Sequence, residues 1–186
     1  MPVRDKQGRG HPTYGESLRE YGRGLGGGLL FSLPLIYTME VWWTGFIAEP
    51  LRLLAYVAVI FALLLGYNNF AGLRHDAEFA EVAIDSVEEF GLGVITAAAF
   101  LALLGRISPE MSWQEIIGKT VVEAGVVAIG YSVGTAQLSE QVDEEEEQPP
   151  QTHVLGQLVI ALCGAVLIAA NVAPTEEIVE IAAEVG

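Results

Sequence analysis

The chain has 186 residues, of which 52% are hydrophobic and 18% are charged, with a mean hydropathy of +0.42 and a formal net charge of −15. This composition indicates an integral membrane protein in a lipid bilayer, and the acidic balance without a basic patch argues against a nucleic-acid-binding protein. The single cysteine, Cys163, excludes an internal disulfide.

The N-terminal segment, residues 1–24, is polar and glycine-rich. We predict a cytoplasmic tail there, with a disordered start and at most a short surface helix. Residues 25–48 are the first predicted membrane span, because their length fits a hydrocarbon core of about 30 Å. Pro34 is expected to kink this span, and Glu40 follows it within the same stretch.

Four further apolar stretches have the length of a spanning helix, and their predicted bounds are 51–69, about 86–104, 115–138 and 153–173. The first four spans form a membrane core over 25–138. An acidic linker, 139–152, holds five consecutive acids and a Pro-Pro pair, so we expect it to be disordered. The fifth span and an amphipathic terminal segment fill 153–186. The predicted fold class is all-α: a polytopic transmembrane helical bundle of about five spans plus a C-terminal half or interfacial helix.

Basic residues set the predicted orientation of these spans. Five of the nine Lys and Arg residues precede residue 24, and cytoplasmic segments of membrane proteins carry an excess of such residues. We therefore predict a multi-pass protein of the plasma membrane with a cytoplasmic N-terminus. The acidic linker then also lies in the cytoplasm, where it is placed to recruit a basic partner.

Carboxylates in or beside the spans are the candidate functional residues, since a charged side chain at the centre of a spanning helix costs about 2.5–3.5 kcal/mol on insertion scales. Six acids are candidates for binding a cation or a proton: Glu40, Glu88, Glu89, Glu123, Glu176 and Glu177. Three acids precede the third span at helical spacing, and we expect them to concentrate cations as a funnel: Glu78, Glu81 and Asp85. The alternative for the funnel acids is a solvated helix end, and for the two acids after Pro174 a match to the helix dipole.

A short repeat relates two of these acids. The pattern [Ser/Thr]-Val-x-Glu-x-Gly ends at Gly91 in the third span and at Gly125 in the fourth. Neighbouring spans run antiparallel, so we predict that these two spans pack through the glycines and bring Glu89 and Glu123 together. Two close carboxylates do not both ionise at low cost, so such a pair is expected to keep a proton or to hold a cation.

Residues 37–42, YTMEVW, and 171–178, NVAPTEEI, resemble segments of a family of prokaryotic integral membrane proteins defined only as a domain of unknown function. The resemblance covers most of residues 20–186 and implies a polytopic membrane protein without implying an activity. Members of that family continue with further apolar helices, so the stop at Gly186 departs from the family pattern, and the resemblance leaves the number of spans open. A looser similarity links residues 173–176 to the small-Pro-Glu segments of cation/proton exchangers, whose remaining motif residues are missing here.

These features support two hypotheses of function. In the first, the protein is a cation channel or proton-coupled transporter that uses intramembrane carboxylates, is not an enzyme, and needs no cofactor beyond the cation itself. The sequence specifies no metal, because the three histidines lack metal-ligand spacing.

The alternative is a non-transporting scaffold or accessory subunit, with acids that hydrogen-bond between helices and an acidic linker that recruits a partner. Local pairing supports it, since Lys119 lies four residues from both Glu115 and Glu123. In either case we expect a homo-oligomer or a membrane partner. Acids from different helices that converge on one cavity favour transport, whereas acids that each bond to a separate neighbour favour the scaffold.

A cysteine introduced at Glu145 tests the orientation, because this residue lies in the acidic linker. With a cytoplasmic N-terminus, a membrane-impermeant maleimide should label the variant only after the cells are permeabilised. The unmodified protein, whose one cysteine is Cys163, controls for background labelling. Labelling of intact cells would contradict the predicted orientation.

Overall fold

A computed structural model describes residues 14–36, 49–71, 78–140 and 154–171 of the chain. These residues form five α-helices and, within the described ranges, no strand. In chain order the helices are α1 (Tyr14–Ile36), α2 (Pro50–Ala71), α3 (Phe79–Leu103), α4 (Trp113–Glu140) and α5 (Val154–Asn171). The predicted all-α class is therefore confirmed.

Four of these helices, α2 to α5, are long and apolar enough to cross a membrane. They coincide with the second to fifth predicted spans, and α3 also includes the acidic stretch that precedes its apolar run. The first predicted span is described only as far as Ile36. Its remainder, most of the acidic linker and the terminal segment after Asn171 lie outside the described residues.

The first helix, α1, begins at Tyr14 and runs without a break into the first predicted span. It is longer than the short surface helix that the polar sequence allowed, because its polar half is held by neighbouring helices. Gly24 packs against the ring of Tyr131 on α4, and the Tyr21 hydroxyl donates a hydrogen bond to Glu88 on α3. These contacts join residues that are far apart in the chain, so a local apolar pattern does not predict them.

The central helix of the bundle is α4. Within its spanning part 72% of the residues are buried in protein, against 17–22% in α2, α3 and α5. The other described helices pack around it. Three spans therefore present most of their surface to lipid, whereas α4 is largely enclosed and can shield polar side chains.

Contacts along α4 fix the directions of its neighbours. Gly24 and Gly28 of α1 pack against Tyr131 and Val127 respectively, so α1 and α4 are antiparallel. The short connection between α3 and α4 makes them antiparallel as well. We call the end of the bundle where α1 and α3 begin the amino-terminal end.

By contrast, α2 runs parallel to α4. The Tyr56 hydroxyl donates to the Val122 carbonyl at 2.8 Å, in the first half of both helices. Nearer the other end of both helices, Asn68 and Ser132 bond to the same residue, Glu89 of α3. The helices thus alternate in direction as the predicted order of spans requires.

Glycine backbones bring α1 and α4 into close contact. A Cβ atom added to Gly27 would lie 2.5 Å from the Cα atom of Gly134 and 2.7 Å from the carbonyl oxygen of Gly130. A Cβ atom at Gly134 would lie 2.6 Å from the Cα atom of Gly27. Gly130 and Gly134 form the small-xxx-small pattern that lets membrane helices approach closely. The fit therefore depends on the absence of side chains on both helices.

Substituting Gly27 by alanine should destabilise the bundle, because the new methyl group has to push α1 away from α4. Overpacking of this kind costs about 1–3 kcal/mol. The matched control is Gly26→Ala, since nothing lies within 4 Å of a Cβ atom at Gly26 and alanine favours the helix. Thermal unfolding of both variants in detergent gives the comparison, and equal melting temperatures would contradict the glycine contact.

Candidate functional site

Polar side chains are buried along the central helix at two levels. On α4 itself the buried polar residues are Lys119, Thr120, Glu123, Ser132 and Thr135. The helices around it add Ser32 on α1, Asn68 on α2, and Ser86 and Thr96 on α3. Buried polar groups in spanning helices face the bundle interior and mark candidate sites.

The first level is a set of four residues that we call the Glu89 cluster: Glu89, Asn68, Ser86 and Ser132. Asn68 Nδ2 donates to Glu89 Oε2 at 2.7 Å, and Ser132 Oγ donates to the same oxygen at 2.6 Å. Asn68 Nδ2 also lies 3.1 Å from Ser86 Oγ, whose hydroxyl donates to the Val82 carbonyl at 2.8 Å. One carboxylate of α3 is thereby joined to α2 and to α4.

The local sequence places Glu89 in this position. Val82, Ser86 and Gly93 are buried on α3 and lie on the same helix stripe as Glu89, at spacings of three and four residues. This stripe faces α4 and α2. Glu88 is one position away and is exposed, so the two adjacent acids have different surroundings.

The second level is Glu123, whose side chain is 0% exposed. The preceding residue on α4, Val122, accepts a hydrogen bond through its carbonyl group from the Tyr56 hydroxyl of α2. The same hydroxyl occupies the space that a Cβ atom at Gly125 would need. Glu123 is therefore buried in protein, on the helix that has the largest buried share among the four spanning helices.

The predicted packing of α3 on α4 through Gly91 and Gly125 is wrong. In the described part of the chain nothing approaches within 4 Å of a Cβ atom at Gly91, and Gly125 faces α2. The glycine that contacts α4 is Gly93, where a Cβ atom would lie 2.7 Å from the Ala124 carbonyl oxygen and 3.1 Å from Ala128 Cβ. Gly93 is four residues after Glu89, so it shares the buried stripe, whereas Gly91 points elsewhere.

This packing puts Glu89 and Glu123 at different levels of the bundle. Glu89 bonds to Ser132, which is nine residues after Glu123 on the same helix. Nine residues of α-helix rise by about 13.5 Å. The two carboxylates therefore lie at two separate levels along α4, and the predicted direct pair is absent.

The basic residue of the central helix, Lys119, is bonded to Glu115. Its Nζ atom lies 2.6 Å from Glu115 Oε1 and 3.6 Å from Met111 Sδ. The Lys119 side chain is buried and that of Glu115 is partly exposed. The predicted local pairing of Lys119 is thus present with Glu115. This ion pair lies at the end of the bundle opposite the amino-terminal end.

The remaining predicted acids are placed as follows. Glu78 and Glu81 are exposed and Asp85 is partly buried, all at the amino-terminal end of α3, so the funnel stays a prediction. Glu88 accepts its hydrogen bond from Tyr21 of α1. Three predicted acids lie outside the described residues: Glu40, Glu176 and Glu177.

Several buried polar residues were missed by the sequence analysis. Asn68 falls at the end of the predicted span 51–69, and Ser132 and Ser32 lie within predicted spans in no motif that marks them. The available signal was a polar side chain within an otherwise apolar spanning segment, which by default marks an interior position. Their partners are far apart in the chain, so the spacing of residues alone does not identify them.

Substituting Asn68 by alanine should weaken the Glu89 cluster, because one of the two donors to Glu89 is lost. The expected loss in the free energy of unfolding is about 0.6–2 kcal/mol. Asn69→Ala is the matched control, since Asn69 is its exposed neighbour on the same helix. Unfolding in mixed micelles measures both variants, and an equal loss in the two would contradict a specific role of Asn68.

Comparison with known proteins gives one match. Searches of curated proteins and of solved structures found no match to this chain. The family described as "Putative integral membrane protein (DUF2391)" matches residues 20–186. Together with the four helices that can span a membrane, this match confirms the resemblance seen in the sequence: the chain belongs to the DUF2391 family of integral membrane proteins.

Proposed function

We propose that this protein moves cations or protons across the plasma membrane, with Glu89 and Glu123 as two binding sites in series. The observation that carries the proposal is the burial of Glu123 on the central helix α4, together with the half-buried Glu89 of α3, which bonds to Ser132 of the same helix. Carboxylates inside spanning segments are expensive and mark ion or proton pathways. A transported cation or proton would account for the two carboxylates, because its positive charge neutralises theirs.

The hydrogen bonds of Glu89 do not offset the cost of its charge. Hydrogen bonds between membrane helices contribute about 0.6 kcal/mol on average, and Glu89 accepts two of them. A charged side chain at the centre of a spanning helix costs about 2.5–3.5 kcal/mol. A cluster built only to join helices would be cheaper with a neutral residue at position 89, so the carboxyl group itself supports a role in binding.

The positions of the acids support passage from one end of the bundle to the other. Exposed acids at the start of α3, Glu78 and Glu81, raise the local concentration of cations at the amino-terminal end. Glu89 lies deeper in α3, and Glu123 lies further along α4. Successive sites of moderate affinity allow an ion to enter and also to leave.

A second candidate function is the scaffold, and one observation favours it. The acids with hydrogen bonds each point to separate neighbours: Glu88 to Tyr21, and Glu89 to Asn68 and Ser132. Such bonds hold α1, α2 and α4 on α3 and need no moving ion. In this role the protein would bind a membrane partner or a second copy and recruit a basic partner through the acidic linker.

Flux measurements in proteoliposomes with Na⁺, K⁺, Ca²⁺ and H⁺ test the transport proposal. Glu89→Gln and Glu123→Gln should each lower the flux by about tenfold, which corresponds to about 1.4 kcal/mol in the free-energy barrier that limits the flux. Glutamine keeps the shape and the hydrogen-bond acceptor of glutamate, so the bundle should stay folded. Glu110→Gln is the control, since Glu110 is an exposed acid in the turn between α3 and α4.

The same variants separate the two functions. If Glu89→Gln leaves stability unchanged and lowers flux, the carboxyl group acts on the ion. If the unmodified protein carries none of the four ions, transport is excluded. The scaffold is then supported if Glu89→Ala, which removes the acceptor, disrupts assembly while Glu89→Gln does not.

A further inference from the structure

The Glu89 cluster occupies only one of the two oxygens of its carboxyl group. Asn68 Nδ2 and Ser132 Oγ both donate to Oε2, at 2.7 and 2.6 Å. Among the described residues no group donates a hydrogen bond to Oε1. This part of the bundle therefore leaves one oxygen of the carboxyl group open.

The polar hydrogens of the other three residues in the cluster are already committed. The two amide hydrogens of Asn68 point to Ser86 Oγ at 3.1 Å and to Glu89 Oε2. Ser86 gives its hydrogen to a backbone carbonyl of its own helix at 2.8 Å. Ser132 gives its hydrogen to Glu89, because the carbonyl one turn before Ser132 is further away, at 3.3 Å. The cluster thus turns hydrogens, and not lone pairs, towards Oε2.

The charged neighbours of Glu89 are acids. Among the described residues, Asp85 and Glu88 on its own helix are the charged side chains that act on it, while α2 and α4 present uncharged donors. From α1, the Tyr21 hydroxyl bonds to Glu88. In the same ranges no basic side chain bonds to Glu89, so the positive charge that neutralises this carboxylate is a bound one.

This arrangement suits a proton better than a metal cation. A hard metal cation takes several oxygen ligands at once, whereas the carboxyl group of Glu89 has one open oxygen and the hydrogens around the other repel a cation. Consistent with this, the described residues contain no group of three or more His, Cys, Asp or Glu that could hold a metal ion. A proton needs a single oxygen.

A proton on Oε1 also preserves the packing of the helices. A neutral carboxyl group carries its hydrogen on one oxygen and still accepts hydrogen bonds at the other. With the hydrogen on Oε1, Oε2 becomes the carbonyl oxygen and keeps both of its donors. Glu89 can therefore change its charge while α2, α3 and α4 stay joined.

We infer that Glu89 is a proton-binding site, that Oε1 is the oxygen that takes the proton, and that Asn68 and Ser132 are positioning residues. Uptake of a proton from water forms one O–H bond at Oε1, and release of the proton to water breaks it. This inference rests on the proposed function and names the proton as the substrate of its first site.

Infrared difference spectroscopy of the full-length protein in lipid, recorded as the pH is varied, tests the inference. A protonated carboxyl group has a C=O stretching band that a carboxylate lacks. One such band should be lost in Glu89→Gln, whereas Glu110→Gln, which changes an exposed acid, should keep it. Replacing choline chloride by NaCl at equal ionic strength and constant pH should leave the band unchanged, because Na⁺ does not compete for the site.

The variant Ser132→Ala tests which oxygen carries the proton. Hydrogen bonds to a C=O group lower its stretching frequency, so loss of the donor to Oε2 should move the Glu89 band to higher frequency. Ser132→Thr, which keeps the hydroxyl group, should restore the frequency. Ser32→Ala is the matched control, since Ser32 is a buried serine that makes no hydrogen bond to Glu89.

The outcomes separate this inference from the proposed function. If the Glu89 band is absent, or if NaCl removes it at constant pH, the inference is overturned, and in the second case the proposed function continues with a metal cation. If Ser132→Ala leaves the band at its frequency, Oε1 is not the oxygen that carries the proton. If the band behaves as expected but no proton crosses the membrane of proteoliposomes, the site stands and the transport proposal fails.

Discussion

The close approach of the α1 and α4 backbones at Gly27 and Gly134 is the contact on which the rest of the bundle depends. Membrane helices are not driven together by the hydrophobic effect, because lipid is as apolar as their side chains, so tight backbone packing takes its place. By lying on α4, α1 covers a face that would otherwise contact lipid. That face includes Val127, Gly130 and Gly134, which lie against glycines of α1.

Enclosure of α4 also explains how this protein keeps ionisable groups in a membrane. Lys119 and Glu115 neutralise each other near one end of the helix, and Glu89 of α3 receives two donors near the other. Glu123 lies between these levels. The helix thus carries polar groups along its length and is surrounded by apolar helices, and at Glu89 those groups bond to residues of α2 and α4.

The two levels differ in what they offer a ligand. At Glu89 the donors come from an amide and a hydroxyl group, which suit an ionised carboxylate and hold three helices in one arrangement. Elsewhere, Ser32 of α1 and Thr120 of α4 carry buried hydroxyl groups that make no hydrogen bond among the described residues. The hydrogen bonds at Glu89 hold the helices together, and the proposed binding role of its carboxyl group is a second role of the same side chain.

The sequence by itself determined the elements of this protein. The lengths and hydropathy of the apolar stretches predicted the spanning helices α2 to α5, and Glu89 and Glu123 were among the six acids in or beside those stretches that the sequence marked as candidates. These properties are local, since a helix is defined by its own residues. Tertiary structure decided which helix is central, why Gly93 rather than Gly91 contacts α4, and which residues surround each acid. Those features depend on how each helix is rotated about its axis and at what height it meets its neighbours, and non-local packing sets both.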